Sequence, residues 1–242
     1  IYTNAPINME AAMKFRVFIV FVFFICSLFP GICLAQNKVV VIPLDSGNYD
    51  CDEIPTFTSN GQVWMDRNLG AHRVAQSVDD YQAYGWLYQW GRLADGHEIR
   101  SSPLTETLSS DDVPGHDNFI TPSSPPYDWR SPQNNNLWQG ESGINNPCPA
   151  GFRLPTETEW ETERTSWNSN DDAGAFASPL KLVVAGFCNY SSGAVLYAGS
   201  YGVYWSSAVG GSYARNLFFY GGNAEVHDNN RANGFSVRCI KD

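Results

Sequence analysis

The C-terminal tract, residues 204–242, constrains the fold more than any other part of the sequence. Tyr204 and Trp205 enter one predicted strand, and residues 234–240 alternate apolar and polar side chains as a half-buried strand does. Between these strands the composition changes to small and polar residues, mainly Gly, Ser, Ala, Asn, Asp and His. The chain is therefore expected to end in a sheet whose outer strands flank a polar segment.

The middle of this tract, residues 215–220, also alternates, so its side chains divide between the two sides of a predicted strand. One side carries Arg215, Leu217 and Phe219, and the other carries Asn216, Phe218 and Tyr220. If Leu217 and Phe219 face the core, Phe218 and Tyr220 face outward beside an asparagine. Exposed aromatics among Asn, Ser and Gly are typical of a recognition surface. The same pattern also fits a second buried face beneath a loop.

Composition narrows the class of protein. The 242 residues are 43% hydrophobic and 14% aromatic, which suffices for a buried core in one domain. The many aromatic residues favour a rigid structure that is largely β or irregular. The formal net charge of −10 makes nucleic acid and anionic membrane surfaces unfavourable partners.

The N-terminal part of the chain has the pattern of an export signal. Met13 begins a short basic stretch, and residues 17–29 form an apolar run that is too short for a comfortable membrane span. The segment of residues 33–35 offers small residues at the positions that signal peptidase requires, which predicts cleavage before Gln36. We expect residues 1–12 to lie upstream of the start methionine. The mature protein is then expected to be secreted or held at the cell surface, with no membrane span.

Cleavage there leaves four cysteines, which are Cys51, Cys148, Cys188 and Cys239. In an exported protein they predict two disulfides, and three connectivities are open from the sequence. A zinc site is the alternative, but the chain has neither a CxxC pair nor closely spaced histidines.

The clearest local signal is the segment CPAGFRLPTETEW, residues 148–160. Thr156 and Glu159 have the spacing of a capping box, so a helix is predicted from Thr156 to about Ser166. Trp160 falls on its buried face. Trp160 and Trp205 are both expected to be structural.

The segment of residues 93–143 is rich in Ser, Pro, Asn and Asp and lacks periodicity. A stretch this long is either an ordered functional loop or a flexible insert, and Trp129 and Trp138 favour a loop pinned onto the core. Strands are predicted on both sides of it, at residues 38–42, 180–187, 194–197, 202–206, 215–220 and 235–240, and residues 61–70 are predicted to be a strand that runs into a turn.

Several motifs, taken together, resemble one family. They are GQVWMDRNLGA, AYGWLYQWGR, NPCPAGFRLPTETEW, YWSS and GFSVRCIKD. In this order they resemble the major paralogous domain family first noted in Fibrobacter, which is similar to the C-type-lectin fold in its formylglycine-generating-enzyme-like form. The resemblance covers residues 61–242. It implies an α+β fold with a small twisted antiparallel sheet, one or two helices and extensive ordered loops.

The resemblance also implies a disulfide. In lectin-like folds the segment before the capped helix is usually tied to the terminal strand, which implies Cys148–Cys239. Cys51 would then pair with Cys188.

A narrower resemblance concerns the polar tract between YWSS and RANGFSVRC. It is similar to the variable region of proteins diversified by retroelements, in which adenine mutagenesis never writes Trp, Met, Lys, Glu or Gln at a varied position. Between residues 208 and 233 only Glu225 belongs to that excluded set. A low-complexity surface loop would show a similar composition.

Catalysis has little support in the sequence. The histidines lie in polar segments without a nucleophile motif beside them: His72, His97, His116 and His227. The glutamates of residues 157–163 fit a helix cap and a solvated face better than the carboxylate pair of a sugar hydrolase. Lectin-type calcium strings are absent, although Asp228, Asn229 and Asn230 leave a weak calcium alternative. We expect no catalytic residues, no metal and no cofactor.

The chain is thus divided into three segments: upstream residues and a signal peptide (1–35), a lead segment (36–60) and a C-type-lectin-like ligand-binding domain (61–242). The expected function is binding of a protein or glycan ligand on another cell or surface, through a hypervariable C-terminal face. A secreted polysaccharide-acting enzyme or accessory module is the alternative. The expected binding face consists of Val209, Gly210, Ser212, Tyr213, Asn216, Phe218, Tyr220, Asn223, His227, Asp228, Asn229 and Asn233.

Overall fold

A computed structural model of the chain describes residues 32–35, 38–41 and 54–242. The export segment predicted at residues 17–29 lies outside the described residues, and so does Cys51. The described part consists of short, mainly antiparallel sheets and two α-helices, and it is an α+β structure. The strands are β1 (Ile32–Ala35), β2 (Lys38–Val41), β3 (Thr56–Ser59), β4 (Gln62–Met65), β5 (Tyr88–Gln89), β6 (Leu104–Thr105), β7 (Phe119–Ile120), β8 (Phe152–Arg153), β9 (Phe187–Cys188), β10 (Val195–Leu196), β11 (Gly202–Gly210), β12 (Tyr213–Tyr220), β13 (Asn223–Asn229), β14 (Gly234–Phe235) and β15 (Ile240–Lys241).

The predicted capped helix is confirmed as α1 (Glu157–Thr165). The Thr156 hydroxyl accepts the Glu159 N–H, and the Glu159 carboxylate accepts the Thr156 N–H, which completes the capping box. Trp160 is fully buried and donates its ring N–H to the Trp205 carbonyl at 3.0 Å. A second helix, α2 (Asp172–Ala177), begins at an Asp171 cap that the sequence reading did not identify.

The last strands form the sheet that carries the candidate site. Strands β11, β12 and β13 pair antiparallel in that order. The four-stranded sheet β3-β4-β15-β8 brings the C-terminal strand back beside the start of the domain. A second sheet of four strands has the order β10-β9-β14-β5, and β6 and β7 form a short parallel pair.

The two faces of the sheet β11–β13 contact different parts of the core. On one face Val203, Trp205 and Ala214 pack in a cluster with Trp90 and other aromatic side chains. On the opposite face, Tyr204, Leu217 and Phe219 pack against α1 and α2. Leu217 and Phe219 face the core as predicted, and Phe235 and Val237 are buried as well. This double packing holds β12 rigidly between two hydrophobic clusters.

The Cys148–Cys239 disulfide is confirmed, with 5.9 Å between the Cα atoms. It ties the segment before α1 to the segment before β15. The prediction that Cys51 pairs with Cys188 is wrong, because Cys188 carries a free, buried thiol. That thiol packs among Leu87, Phe119 and Val195 and donates to the Gly193 carbonyl at 3.2 Å. Cys188 therefore serves as a small apolar core residue.

The long segment of residues 93–143 is an ordered loop held on the core, as predicted. Trp129 and Trp138 are fully buried, and the Trp129 ring N–H donates to the Trp90 carbonyl at 2.7 Å. Arg231 fixes this loop to the β11–β12 hairpin, because its guanidinium contacts Asn135 at 2.7 Å and the Gly211 carbonyl at 3.0 Å.

Two strand predictions need correction, and one strand was not predicted. Residues 235–240 do not form one strand, since β14 ends at Phe235 and β15 begins at Ile240. Residues 180–186 are outside any strand, although Leu180, Leu182 and Val184 are buried. The polar segment of residues 223–229 forms a full strand, β13, because its small and polar residues pair with β12 through the backbone.

Candidate functional site

Aromatic rings cover one area of the sheet β11–β13 and the turn before it. Phe218 lies 5.6 Å from Tyr220 and 5.2 Å from Tyr201 between ring centroids, and the His227 ring stacks on Phe218 at 5.4 Å. Tyr197 stacks on Tyr201 at 4.4 Å with an interplanar angle of 13°. These five side chains are called the aromatic surface below.

Strand geometry explains how β12 and β13 contribute to this surface. Tyr220 pairs with Asn223 across the Gly221–Gly222 turn, and this register places Phe218 opposite Glu225. Phe218, Tyr220 and Glu225 therefore point to the same face of the sheet. His227 follows two residues after Glu225 and therefore joins them. Tyr220 and Tyr197 are 37% and 54% exposed, whereas Phe218 is half-buried against the core.

Tyr197 reaches the surface through an unusual backbone conformation. Its φ of 55° lies in the left-handed region, which costs energy for a residue with a large side chain. The Tyr197 carbonyl accepts the N–H groups of Ser200 and Tyr201, both at 3.0 Å, so the turn is closed around it. A strained backbone that presents an exposed ring is a feature found at ligand-contacting segments.

Two of the predicted binding residues are buried. Asn216 was expected to face solvent, but its side chain is enclosed because Trp205 and His227 are its cross-strand neighbours. Its Oδ1 accepts from Asn229 at 3.3 Å. Asn233 is also buried. Its Nδ2 donates to Asn229 Oδ1, and its Oδ1 accepts the Tyr190 N–H, both at 2.9 Å. Both amides therefore hydrogen-bond to Asn229 of β13.

Asp228 lies on the other face of the sheet. It pairs with Arg215 at 3.2 Å, and the same guanidinium contacts Glu157 of α1. The hydrogen bond to Glu157 and the pair with Asp228 raise the pKa of Arg215 above its usual value. Asp228 is therefore part of an ion-pair group between the sheet and α1, and the structure does not bring it together with His227.

The hairpin tip forms a separate region. The β11–β12 turn carries Val209, Gly210, Ser212 and Tyr213. Tyr213 and Tyr220 are the two ends of β12, seven residues apart, which corresponds to about 23 Å along a strand. Tyr213 is 45% exposed. The predicted single patch is thus divided into the aromatic surface, which Asn223 borders, and this tip.

Sequence reasoning missed Tyr197 and Tyr201, because it confined the site to residues 208–233. Both tyrosines stand in LYAGSYG, where aromatics alternate with small residues. This is the same composition that drew attention to the later tract.

The aromatic surface is electrically neutral at its centre. Partial burial lowers the pKa of His227 below its usual value, so the imidazole is uncharged at neutral pH. Charged groups lie at the margin, where Glu225 is exposed. Uncharged aromatic rings beside amides can stack on a ligand and donate or accept hydrogen bonds.

Asp95, His97 and Glu98 form a group with metal-ligand spacing elsewhere in the domain. The His97 Nδ1–H donates to Asp95 at 2.6 Å, and Nε2 accepts the Gln89 N–H at 3.0 Å. Burial lowers the pKa of His97 to about 4, and Arg92 pairs with Asp95 at 2.7 Å. Both imidazole nitrogens are therefore engaged, and the group functions as a buried polar network.

A cavity of about 10 Å³ lies beside this network, with Arg100 and Cys188 in its lining. It has room for one water molecule. Burial raises the pKa of Cys188 to about 12, so the thiol stays protonated and is a poor nucleophile.

None of the helices in the described part of the chain has the length and hydropathy to cross a membrane. No family model, curated protein or solved structure matches the chain.

Proposed function

We propose that this protein is an exported ligand-binding domain of C-type-lectin-like fold that recognises its ligand with the aromatic surface. The single observation that supports binding most strongly is the contiguous set of rings on a sheet that is packed on both faces. A rigid platform loses little conformational entropy when a ligand docks, and Tyr side chains supply contact area with few rotatable bonds.

The proposal includes a division between scaffold and recognition residues within residues 208–233. Leu217 and Phe219 are fully buried and would stay constant, whereas Tyr220, Asn223 and Tyr213 are accessible. This arrangement suits a tract that a diversity-generating retroelement varies, because exposed positions of a strand can change without loss of the core. The ligand would be a protein or glycan on another cell or surface.

An array experiment tests the proposal. The full chain is applied to a glycan array and to an array of cell-surface proteins, beside the Tyr197→Ala/Tyr220→Ala double variant. Because aromatic anchors in an interface contribute about 2 kcal/mol or more each, the double variant should lose about 4 kcal/mol, or several hundredfold in affinity, for whatever the wild type binds.

Tyr81→Ala is the matched control, since Tyr81 is 74% exposed and lies outside the aromatic surface. All three proteins should melt at similar temperatures, because the changed rings are exposed. The proposal fails if the wild type binds nothing on either array, or if the double variant binds as the control does.

A further inference from the structure

The last strand of the sheet β11–β13 has an unpaired edge. In the part of the chain that the structure describes, β13 pairs with β12 on one side and with no strand on the other. It is seven residues long, Asn223–Asn229, and Glu225 and Asp228 are exposed on it. An open edge of this length presents backbone donors and acceptors to any strand that approaches.

The hydrogen-bond phase of β13 follows from its turn. Tyr220 and Asn223 close a two-residue turn, so they form a hydrogen-bonded pair and every second pair along the strand does the same. The N–H and C=O groups of Ala224, Val226 and Asp228 therefore point away from β12. Two of the three carbonyls have side-chain donors nearby, Arg164 at 3.4 Å from Ala224 and Arg215 at 3.5 Å from Val226. Both contacts are long, and each carbonyl keeps a second lone pair.

We propose that β13 pairs in antiparallel register with β13 of a second copy of this chain, centred on Val226. In this register Val226 lies opposite Val226, and Ala224 lies opposite Asp228, so the outward backbone groups of the two strands meet each other. The pairing joins two three-stranded sheets into one sheet of six strands. A two-fold axis through the Val226 pair makes the interface isologous.

The sequence of β13 is self-complementary in this register. On the face of the aromatic surface, Glu225 stands opposite His227 of the second copy, and Asn223 stands opposite Asn229, so a carboxylate meets an imidazole and an amide meets an amide. On the other face, Asp228 approaches Ala224 of the second copy, whose carbonyl is contacted by Arg164. Complementary groups on both faces favour a second copy over an unrelated strand.

This assembly goes beyond the proposed function, because it requires no ligand. The two-fold axis is perpendicular to the sheet, which puts both aromatic surfaces on the same side of the dimer. A ligand with repeated epitopes would then be bound at two points. A contact of one strand per copy is small, so the dimer should be weak and reversible.

Sedimentation velocity of the full chain, from low micromolar to high micromolar concentration, tests the pairing. The wild type should shift from monomer to dimer with concentration. Val226→Pro removes the central outward N–H and leaves the bonds to β12 intact, so it should weaken the dimer at least tenfold. Val226 also packs against the cluster that contains Leu217 and Phe219, so the melting temperature of this variant is measured alongside.

A pair of variants at the Glu225–His227 contact keeps the test valid if the proline variant folds poorly, because the double variant replaces a carboxylate–imidazole contact with an ion pair. Glu225→Lys should weaken the dimer, and Glu225→Lys with His227→Glu should restore it. Glu106→Lys is the matched control, because it makes the same charge change at an exposed site in the loop.

The proposal is overturned if the wild type stays monomeric throughout, or if Val226→Pro and Glu225→Lys dimerise as the wild type does. It is also overturned if hydrogen exchange finds the Val226 amide protected in a monomer, since a segment of the same chain would then cover the edge.

Discussion

At the residue scale, adjacent side chains on β12 have different roles, because successive residues of a strand face opposite sides of the sheet. Leu217 and Phe219 point into the cluster beneath α1, whereas Phe218 and Tyr220 point to the face that carries the aromatic surface. Phe218 is half-buried, so it both supports the core and lines the surface. Replacing it would therefore lower stability as well as binding, which is why Tyr197 and Tyr220 are the better positions for a functional test.

Buried titratable residues make the domain sensitive to acid. The pKa of His97 is about 4 in the folded protein, because the ring is buried, and it is near 6.5 in an unfolded chain. Between pH 4 and 6.5 the unfolded state binds more protons than the folded state. The contribution of His97 to the unfolding free energy is therefore fully present above about pH 6.5 and is lost as the pH falls to 4. Protonation of Nε2 would also break its hydrogen bond with the Gln89 N–H.

Urea unfolding at a series of pH values checks this expectation. The wild type should lose up to about 3 kcal/mol of unfolding free energy between pH 6.5 and 4 through His97. His97→Asn has no titrating group there, so its curve should be flatter by that amount. Parallel curves for the two proteins would show that the pKa of His97 is not depressed.

At the element scale, a local signal predicted the helix α1 better than the sequence pattern predicted strand limits. The capping box at Thr156 and Glu159 specifies α1 by itself, because the interaction spans only three residues. Strand β13 was missed because its side chains carry little alternation, and pairing with β12 supplies the regularity. The single strand predicted at residues 235–240 was wrong since β14 and β15 join different sheets.

The disulfide is an element-scale constraint, because it links two segments that are 91 residues apart. In the chain-entropy model a loop of this length contributes about 4–5 kcal/mol to stability. Cys148→Ser with Cys239→Ser should lower the unfolding free energy by that order in urea titrations. Cys188→Ala is the control for a buried cysteine without a bond, and it should cost much less. Equal losses in both variants would contradict the expected role of the disulfide.

At the scale of the whole molecule, the candidate site joins parts of the chain that no local pattern could connect. Phe218 and His227 were predictable from the polar C-terminal tract, whereas Tyr197 becomes a neighbour only through tertiary packing. The loop of residues 93–143 supports the hairpin through contacts such as Gln133 with the Ser212 carbonyl at 2.9 Å. Long-range contacts of this kind decide which exposed aromatics form one surface.

Hydroxyl-radical footprinting tests the central claim most directly, because it reports the accessibility of individual aromatic rings. The full chain is oxidised with and without the ligand found on the arrays, and oxidation is measured at Tyr197, Tyr220, Tyr213 and Tyr81. The account predicts that ligand protects Tyr197 and Tyr220 several-fold and leaves Tyr81 unchanged. Protection of Tyr213 or Tyr81 with none at Tyr197 and Tyr220 would contradict it.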